Sequence, residues 1–200
     1  LGGKEPPAGG HVHVVGAGVM GGDIAAWCAL RGFTVTLQDR STEFVQPALE
    51  RARAFFEKRS RVPGKAAEQL ARLQADVAGQ GVDRADVVIE AIFENLEAKH
   101  ALLRQLDAVM RPDAVLATNT SSLCLEDLRT VLQRPERLVG IHFFNPVALM
   151  PLVEVVAAEG GDPAVVQAAC AVVRQIDKLP LPVRSEPGFL VNAVLAPYML

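Results

Sequence analysis

The feature that most constrains this chain is a glycine cluster, Val15-Gly16-Ala17-Gly18-Val19-Met20-Gly21, set between a β-branched run and an amphipathic one. The run before it, HVHVVG from His11, is short, apolar and closed by glycine, which predicts a buried strand. The run after it, Val19 to Arg31, places Met20, Ile24, Trp27 and Cys28 on one side at helical spacing, and Gly32 stops it. In a strand–turn–helix unit, glycines at G-x-G-x-x-G have separate uses. Gly16 allows the tight turn, Gly18 lets backbone approach a pyrophosphate, and Gly21 lets the helix pack closely on the strand. The helix N-terminus, with Val19 and Met20, then faces the phosphate charge. Alone, the pattern is weak.

Its context strengthens it. FTVTLQD is a second strand that ends in Asp39, 21 residues beyond Gly18. An acidic side chain there accepts hydrogen bonds from ribose hydroxyls and repels the extra phosphate of NADP, so NAD is the expected cofactor. Arg40 beside it tempers that preference, because a guanidinium can hold a phosphate. The plain alternative for Asp39 is a cap on the following helix.

Further along, strand-like and helix-like runs alternate. A helix from about Thr42 to Arg59, broken at Pro63-Gly64, is followed by a shorter one to Leu73. ADVVIEAI (85–92), AVLATNT (114–120), RLVGIHFF (137–144), LVEVV (152–156) and LPLPV read as strands, with helices at Leu96–Met110 and Pro163–Asp177. This predicts an α/β fold: a Rossmann-type, doubly wound, mostly parallel sheet with helices on both faces and a helical hairpin insertion. Residues 1–10 read as linker, 11–186 as the nucleotide-binding domain, and 187–200 as the first helix of a helical C-terminal domain otherwise missing. The start at Leu1 and the apolar stretch from Gly188 to Leu200 suggest a piece of a longer chain. A helix apolar all round expects burial, so a homo-oligomer formed through it is expected.

Composition narrows the partners. A net charge of −3 argues against nucleic acid. Three scattered cysteines without a C-x-x-C pair fit a reducing, cytoplasmic setting and no metal site. No stretch is long and apolar enough for a membrane span.

A second polar cluster interrupts the buried strands. Asn119-Thr120-Ser121-Ser122 falls where a strand emerges at its C-terminal edge, the usual ligand crevice. His142 opens HFFNP, and Glu154 lies 12 residues later inside the apolar run Leu152–Val156. A carboxylate there needs a partner. A His–Glu hydrogen bond would satisfy both groups, fix the imidazole tautomer and raise its basicity for proton abstraction. The plain alternatives are a core histidine and a solvated strand residue.

GAGVMGGDIA, IEAIFENLEAK, TNTSSL, GIHFFNPVALMPLVEVV and PGFLVN together resemble the L-3-hydroxyacyl-CoA dehydrogenases, in particular the dehydrogenase segment of bacterial multifunctional fatty-acid oxidation alpha subunits. The resemblance runs in order from about His11 to Leu200. It implies NAD-dependent oxidation of (S)-3-hydroxyacyl-CoA to the 3-ketoacyl thioester in fatty-acid β-oxidation. His142 would be the base, Glu154 its orienting carboxylate, and Ser121 and Asn192 would hold the substrate near C3. Glu94, Lys99, Asn119 and Asn145 fall where the family contacts NAD or shapes the nicotinamide pocket. A thiolase subunit is implied as a partner of the parent.

Some features stand apart from that pattern. Asp23 follows MGG in place of a small residue and reads as an exposed first-turn carboxylate. Ala193 stands where an arginine is common. The basic cluster with Lys58, Arg59 and Lys65 either attracts the phosphates of coenzyme A or forms a solvated helix face. Two other readings remain: another β-hydroxyacid dehydrogenase, which would rely on a lysine, and an NAD-binding module without turnover, which would not need the His–Glu pair. Without its C-terminal domain the fragment is expected to be weak or inactive.

Overall fold

Central strands such as VVIE, VLAT and LVGIH are buried at every position, and the chain achieves this by covering both faces of one sheet. The computed structural model describes residues 6–186. Its elements run β1 (His11–Val15), α1 (Val19–Leu30), β2 (Thr34–Gln38), α2 (Thr42–Arg59), α3 (Lys65–Ala71), β3 (Leu73–Ala75) and β4 (Val87–Glu90). They continue α4 (Leu96–Val109), β5 (Val115–Thr118), α5 (Leu125–Leu128), β6 (Leu138–His142), β7 (Leu152–Ala157), α6 (Pro163–Gln175) and β8 (Leu179–Arg184).

The sheet order is β3-β2-β1-β4-β5-β6-β7-β8. Strands are parallel from β3 to β6, β7 runs antiparallel to β6, and β8 runs parallel to β7. Strand order reverses between β1 and β4, which opens the ligand crevice at their C-terminal ends. The doubly wound architecture is therefore the one the sequence predicts.

Alternate strand residues feed two cores. Val12, Val14, Val35, Ile89, Val139 and Ile141 pack with Ile24, Ala48 and Val172 from α1, α2 and α6. Val15, Val88, Leu116 and Leu138 pack with Leu103, Leu106, Leu125 and Leu128 from α4 and α5.

Several local expectations need correction. α1 is buried nearly all round rather than along one stripe, because α2 covers the face turned away from the sheet. The helix expected to reach Leu73 stops at Ala71, and Leu73 instead pairs with Val35 in the edge strand β3. Asp23 lies beyond the first turn of α1 and is half-buried; burial raises its pKa, and Arg51 partly opposes that. Pro6, assigned to the linker, is buried, and its carbonyl accepts a hydrogen bond from Gln175 Nε2 at 2.8 Å.

β8 is the last strand on its side among the described residues. Leu179 and Ser185 donate their N–H groups to Pro151 and Ala157 on the β7 side. Strand alternation turns the even positions outward, and two of these are Pro180 and Pro182, which have no N–H.

Candidate active site

The glycine loop crosses the sheet at its reversal point. Gly16 has φ +107°, and a Cβ there would lie 2.5 Å from the Ala91 carbonyl oxygen. At Gly21 a Cβ would come within 1.7 Å of the Gly16 carbonyl oxygen, so helix and loop approach this closely only because Gly21 has no side chain. Gly18 differs: a Cβ there would meet nothing within 4 Å. It is the N-cap of α1 and gives no side-chain cap, so the opening N–H groups of the helix, including those of Val19 and Met20, remain for a ligand. Gly16, Gly18, Val19 and Met20 line a cavity of about 1050 Å³. The missing Cβ at Gly18 and the uncapped helix end fit a pyrophosphate.

Asp39, just past β2, lines the same cavity. Its Oδ2 accepts from the Ala17 N–H at 2.8 Å, and its Oδ1 from the Arg40 N–H at 2.7 Å. Asp39 is thus tied to the glycine loop and does not cap α2. The Arg40 guanidinium stacks 4.7 Å from the centre of the Phe44 ring. Phe44 and Val77, which motif reading passes over, complete this end of the cavity.

Four strand-to-strand steps lead from β2 to β6 at the far end, so at ~4.8 Å per step the cavity spans about 19 Å along the crevice. Its floor is a buried polar network. Lys99 Nζ donates to Glu90 Oε1 at 2.6 Å and to the Ile92 carbonyl at 3.2 Å. Glu90 Oε2 accepts from Thr118 Oγ1 at 2.6 Å, and the Glu90 carbonyl accepts from the Asn119 N–H at 2.8 Å. Asn119 Oδ1 in turn accepts from the Phe143 N–H at 2.9 Å. The ends of β4, β5 and β6 are locked together.

Lys99 therefore sits beneath the cavity and is not among its lining residues. Glu90 is the member sequence reasoning missed, although a carboxylate inside ADVVIEAI carries the same signal as Glu154.

Glu94 lines the cavity and organises the turn after β5. It accepts from Thr120 Oγ1 at 2.8 Å and from the Ser121 N–H at 3.0 Å. Ser121, Asn119, His142 and Asn145 line the cavity as well. His142 and Glu154 lie opposite each other in the antiparallel register of β6 and β7, and Nδ1 is 2.9 Å from Oε2. Both are buried, with the Phe144 ring 4.7 Å from the imidazole. Asn192 lies outside the described residues.

The basic residues fall elsewhere. Lys58, Arg59 and Lys65 are exposed at the α2–α3 junction, away from the cavity lining. The Arg59 guanidinium lies 5.3 Å from the Phe55 ring and 5.7 Å from the Trp27 ring. Among the described residues no helix is long and apolar enough to cross a membrane.

A glycine loop, an acidic ribose position and a reversal crevice on one sheet define a dinucleotide-binding domain of the dehydrogenase class. The chain belongs to the 3-hydroxyacyl-CoA dehydrogenase NAD-binding domain family, whose pattern matches residues 11–186. It is 38% identical over 189 residues to the fatty acid oxidation complex subunit alpha of Psychrobacter sp., covering 92% of this chain and 26% of that protein. The chain thus spans a minor part of such relatives. Its fold is similar to that of 3-hydroxybutyryl-CoA dehydrogenase from Escherichia coli K12, with TM-score 0.90 and 37% identity over 94% of this chain and 41% of that one. The (S)-3-hydroxybutyryl-CoA dehydrogenase of Ralstonia eutropha gives TM-score 0.89 and 34% identity, over 94% and 68% of the two chains. NAD is the cofactor of this domain family.

Proposed function

We propose that this chain is the NAD-binding part of an enzyme that oxidises (S)-3-hydroxyacyl-CoA to 3-ketoacyl-CoA. The observation that carries the reading is the buried His142–Glu154 pair, in register at the mouth of the glycine-loop cavity. NAD, when bound, supplies the acceptor for the hydride of C3. Gly16, Gly18, Val19 and Met20 hold the pyrophosphate, with Gly21 letting the helix pack against that loop; Asp39 holds the adenine ribose, and Asn119 and Asn145 the nicotinamide end. With Glu154 ionised, its oxygen can only accept, so the shared proton sits on Nδ1 and the ring is held in one tautomer. His142 takes the 3-hydroxyl proton at Nε2, and Glu154 stabilises the imidazolium that results. Ser121 and Asn192 orient the substrate oxygen. Glu94 supports Ser121 through its backbone, and Lys99 supports the floor through Glu90.

In this reading residues 11–186 form the NAD-binding domain; the helix expected over 187–200 lies outside the described residues. The parent is a cytoplasmic protein that works beside a thiolase subunit and associates with itself. Lys58, Arg59 and Lys65 would serve coenzyme A only if the rest of the parent brings substrate phosphates to the α2–α3 junction.

The test is His142→Ala in the intact parent, assayed with NAD and a 3-hydroxyacyl-CoA. Turnover is lost while NADH binding survives; normal turnover would refute the role of His142. Calorimetry on this chain should also show NADH bound more tightly than NADPH, and the reverse order would refute the role of Asp39.

A further inference from the structure

The loop between β6 and β7, residues 143–151, carries Asn145 into the cavity and returns the chain to Glu154. It contains no strand. Its middle is a single turn, in which the Leu149 and Met150 N–H groups both donate to the Pro146 carbonyl at 3.1 Å. The carbonyls at the far side of that turn point into the protein, where Lys178 meets them. Lys178 Nζ donates to the Val147 carbonyl and, at 2.7 Å, to the Met150 carbonyl. The same nitrogen lies 4.1 Å from the centre of the Trp27 ring.

We propose that Lys178 is a positioning residue whose ammonium, held between the Trp27 ring and two loop carbonyls, fixes the loop that presents Asn145 to the cofactor. The proposal rests on the reading that the cavity takes NAD with its nicotinamide end toward Asn145.

Three observations support it. First, the chain is steered to this point. α6 ends with the Asp177 N–H on the Arg174 carbonyl at 2.9 Å and the Lys178 N–H on the Val173 carbonyl at 3.1 Å, with Asp177 at φ +59°. That is a Schellman turn, and it sets Lys178 at the first residue beyond the reversal. Trp27 is fixed as well, since its Nε1 donates to the Ile176 carbonyl at 2.8 Å.

Second, the charge is a poor choice for stability alone. Lys178 is 7% exposed. Burial, with Arg31 and Arg59 nearby and only Asp177 pulling the other way, holds its pKa below the ordinary lysine value. A buried cation is better tolerated as an apolar residue unless its donors are needed.

Third, the donors reach the turn that follows Asn145, which lies outside the strands and is tied at its end by the Leu179 N–H on the Pro151 carbonyl. Glu90, Thr118 and Asn119 hold the strand ends, and the Phe143 N–H on Asn119 ties down the start of the loop. Beyond Phe143, Lys178 supplies two tertiary hydrogen bonds to the turn that follows Asn145. The buried Val147 side chain supplies packing but no direction.

The experiment uses this 200-residue chain. Hydrogen exchange is followed by mass spectrometry, and NADH and ADP-ribose are titrated by calorimetry. In Lys178→Met, exchange across 147–151 should rise at least about tenfold, the loss of one charge-assisted hydrogen bond, while β1 keeps its rate. NADH affinity should fall about tenfold and ADP-ribose affinity should hold, because ADP-ribose lacks the group that Asn145 meets. A merely structural lysine would weaken both ligands together and speed exchange in β1. Equal losses for the two ligands, or an unchanged loop, would overturn the proposal. Should Lys178→Met not fold, Lys178→Gln, which keeps a shorter neutral donor, is read by the same two measurements. If the unmodified chain binds neither ligand, the reading of the cavity fails, and loop exchange alone decides the role of Lys178.

Discussion

Lys99 Nζ lies 2.6 Å from Glu90 Oε1, and neither side chain exposes more than 1% of its surface. Together they hold the Ile92 carbonyl, the Thr118 hydroxyl and, through the Glu90 main chain, Asn119. A buried pair of this kind is costly to break from one side. Lys99→Met should destabilise the domain by about 3–5 kcal/mol, because Glu90 is left charged and buried. Adding Glu90→Gln should recover a large part of that loss. Urea unfolding of the single and double variants decides it; a double variant no more stable than Lys99→Met would contradict the pairing.

Gly21 and Gly18 should respond to alanine in opposite ways. At Gly21 the new methyl would stand 1.7 Å from backbone oxygen that cannot move aside. Gly21→Ala should therefore lose several kcal/mol of stability, ~3 or more, or fail to fold. At Gly18 the methyl meets open cavity. Gly18→Ala should keep the wild-type unfolding midpoint and bind NADH at least about tenfold more weakly, a loss of ~1.4 kcal/mol. Unchanged NADH binding in that variant would remove Gly18 from the pyrophosphate site.

Acid should weaken the domain through β1. His11 Nε2 and His13 Nδ1 each lie 2.7 Å from Thr36 Oγ1, and one hydroxyl serves two neutral rings by donating to one and accepting from the other. Burial holds both imidazoles below the ordinary histidine value, while Asp76 pulls the other way. Because the folded value lies below the unfolded one, the unfolded chain binds more protons once the pH drops past about 6.5. Stability should be full above that value and fall on acidification toward pH 5. In His13→Asn the slope of Tm against pH over this range should flatten; a slope equal to wild type would exclude His13 as its source.

Position 177 should accept few replacements. At φ +59° a Cβ-bearing residue is strained, and asparagine and aspartate suffer least. Its ion pair with Arg31, 2.9 Å long with Asp177 74% exposed, contributes little. Asp177→Asn should stay within about 0.5 kcal/mol of wild type, and Asp177→Ala should lose about 1 kcal/mol. Thermal unfolding that ranks the two in the opposite order would refute this account of the turn.

Much of the architecture was legible because its signals are local. The glycine spacing, the mostly apolar strand runs and Asp39 at a strand end depend on neighbours within one unit of structure. His142 and Glu154 were legible for another reason: a carboxylate inside Leu152–Val156 demands a partner, and the register that supplies it follows from one loop. Glu90 carries the same signal, but its partner stands on a helix nine residues on, where Lys99 also fits a pattern of cofactor contact. Sequence position carried that lysine to the right neighbourhood without its direction. β3 is three residues long and mostly exposed, so no periodicity marks it. Lys178 was hidden because its aim depends on a helix end closed by aspartate rather than glycine.

The two prolines of β8 bear on how this domain meets its surroundings. Sheets grow by offering alternating donors and acceptors to an arriving strand, and at Pro180 and Pro182 the outward donors are gone. A neighbour approaching that flank finds carbonyls without their complement, so strand addition is blocked there. Among the described residues this edge lacks two of the donors a full main-chain ladder needs, which guards it against edge-to-edge pairing and leaves side chains a larger share in recognising whatever docks beside β8.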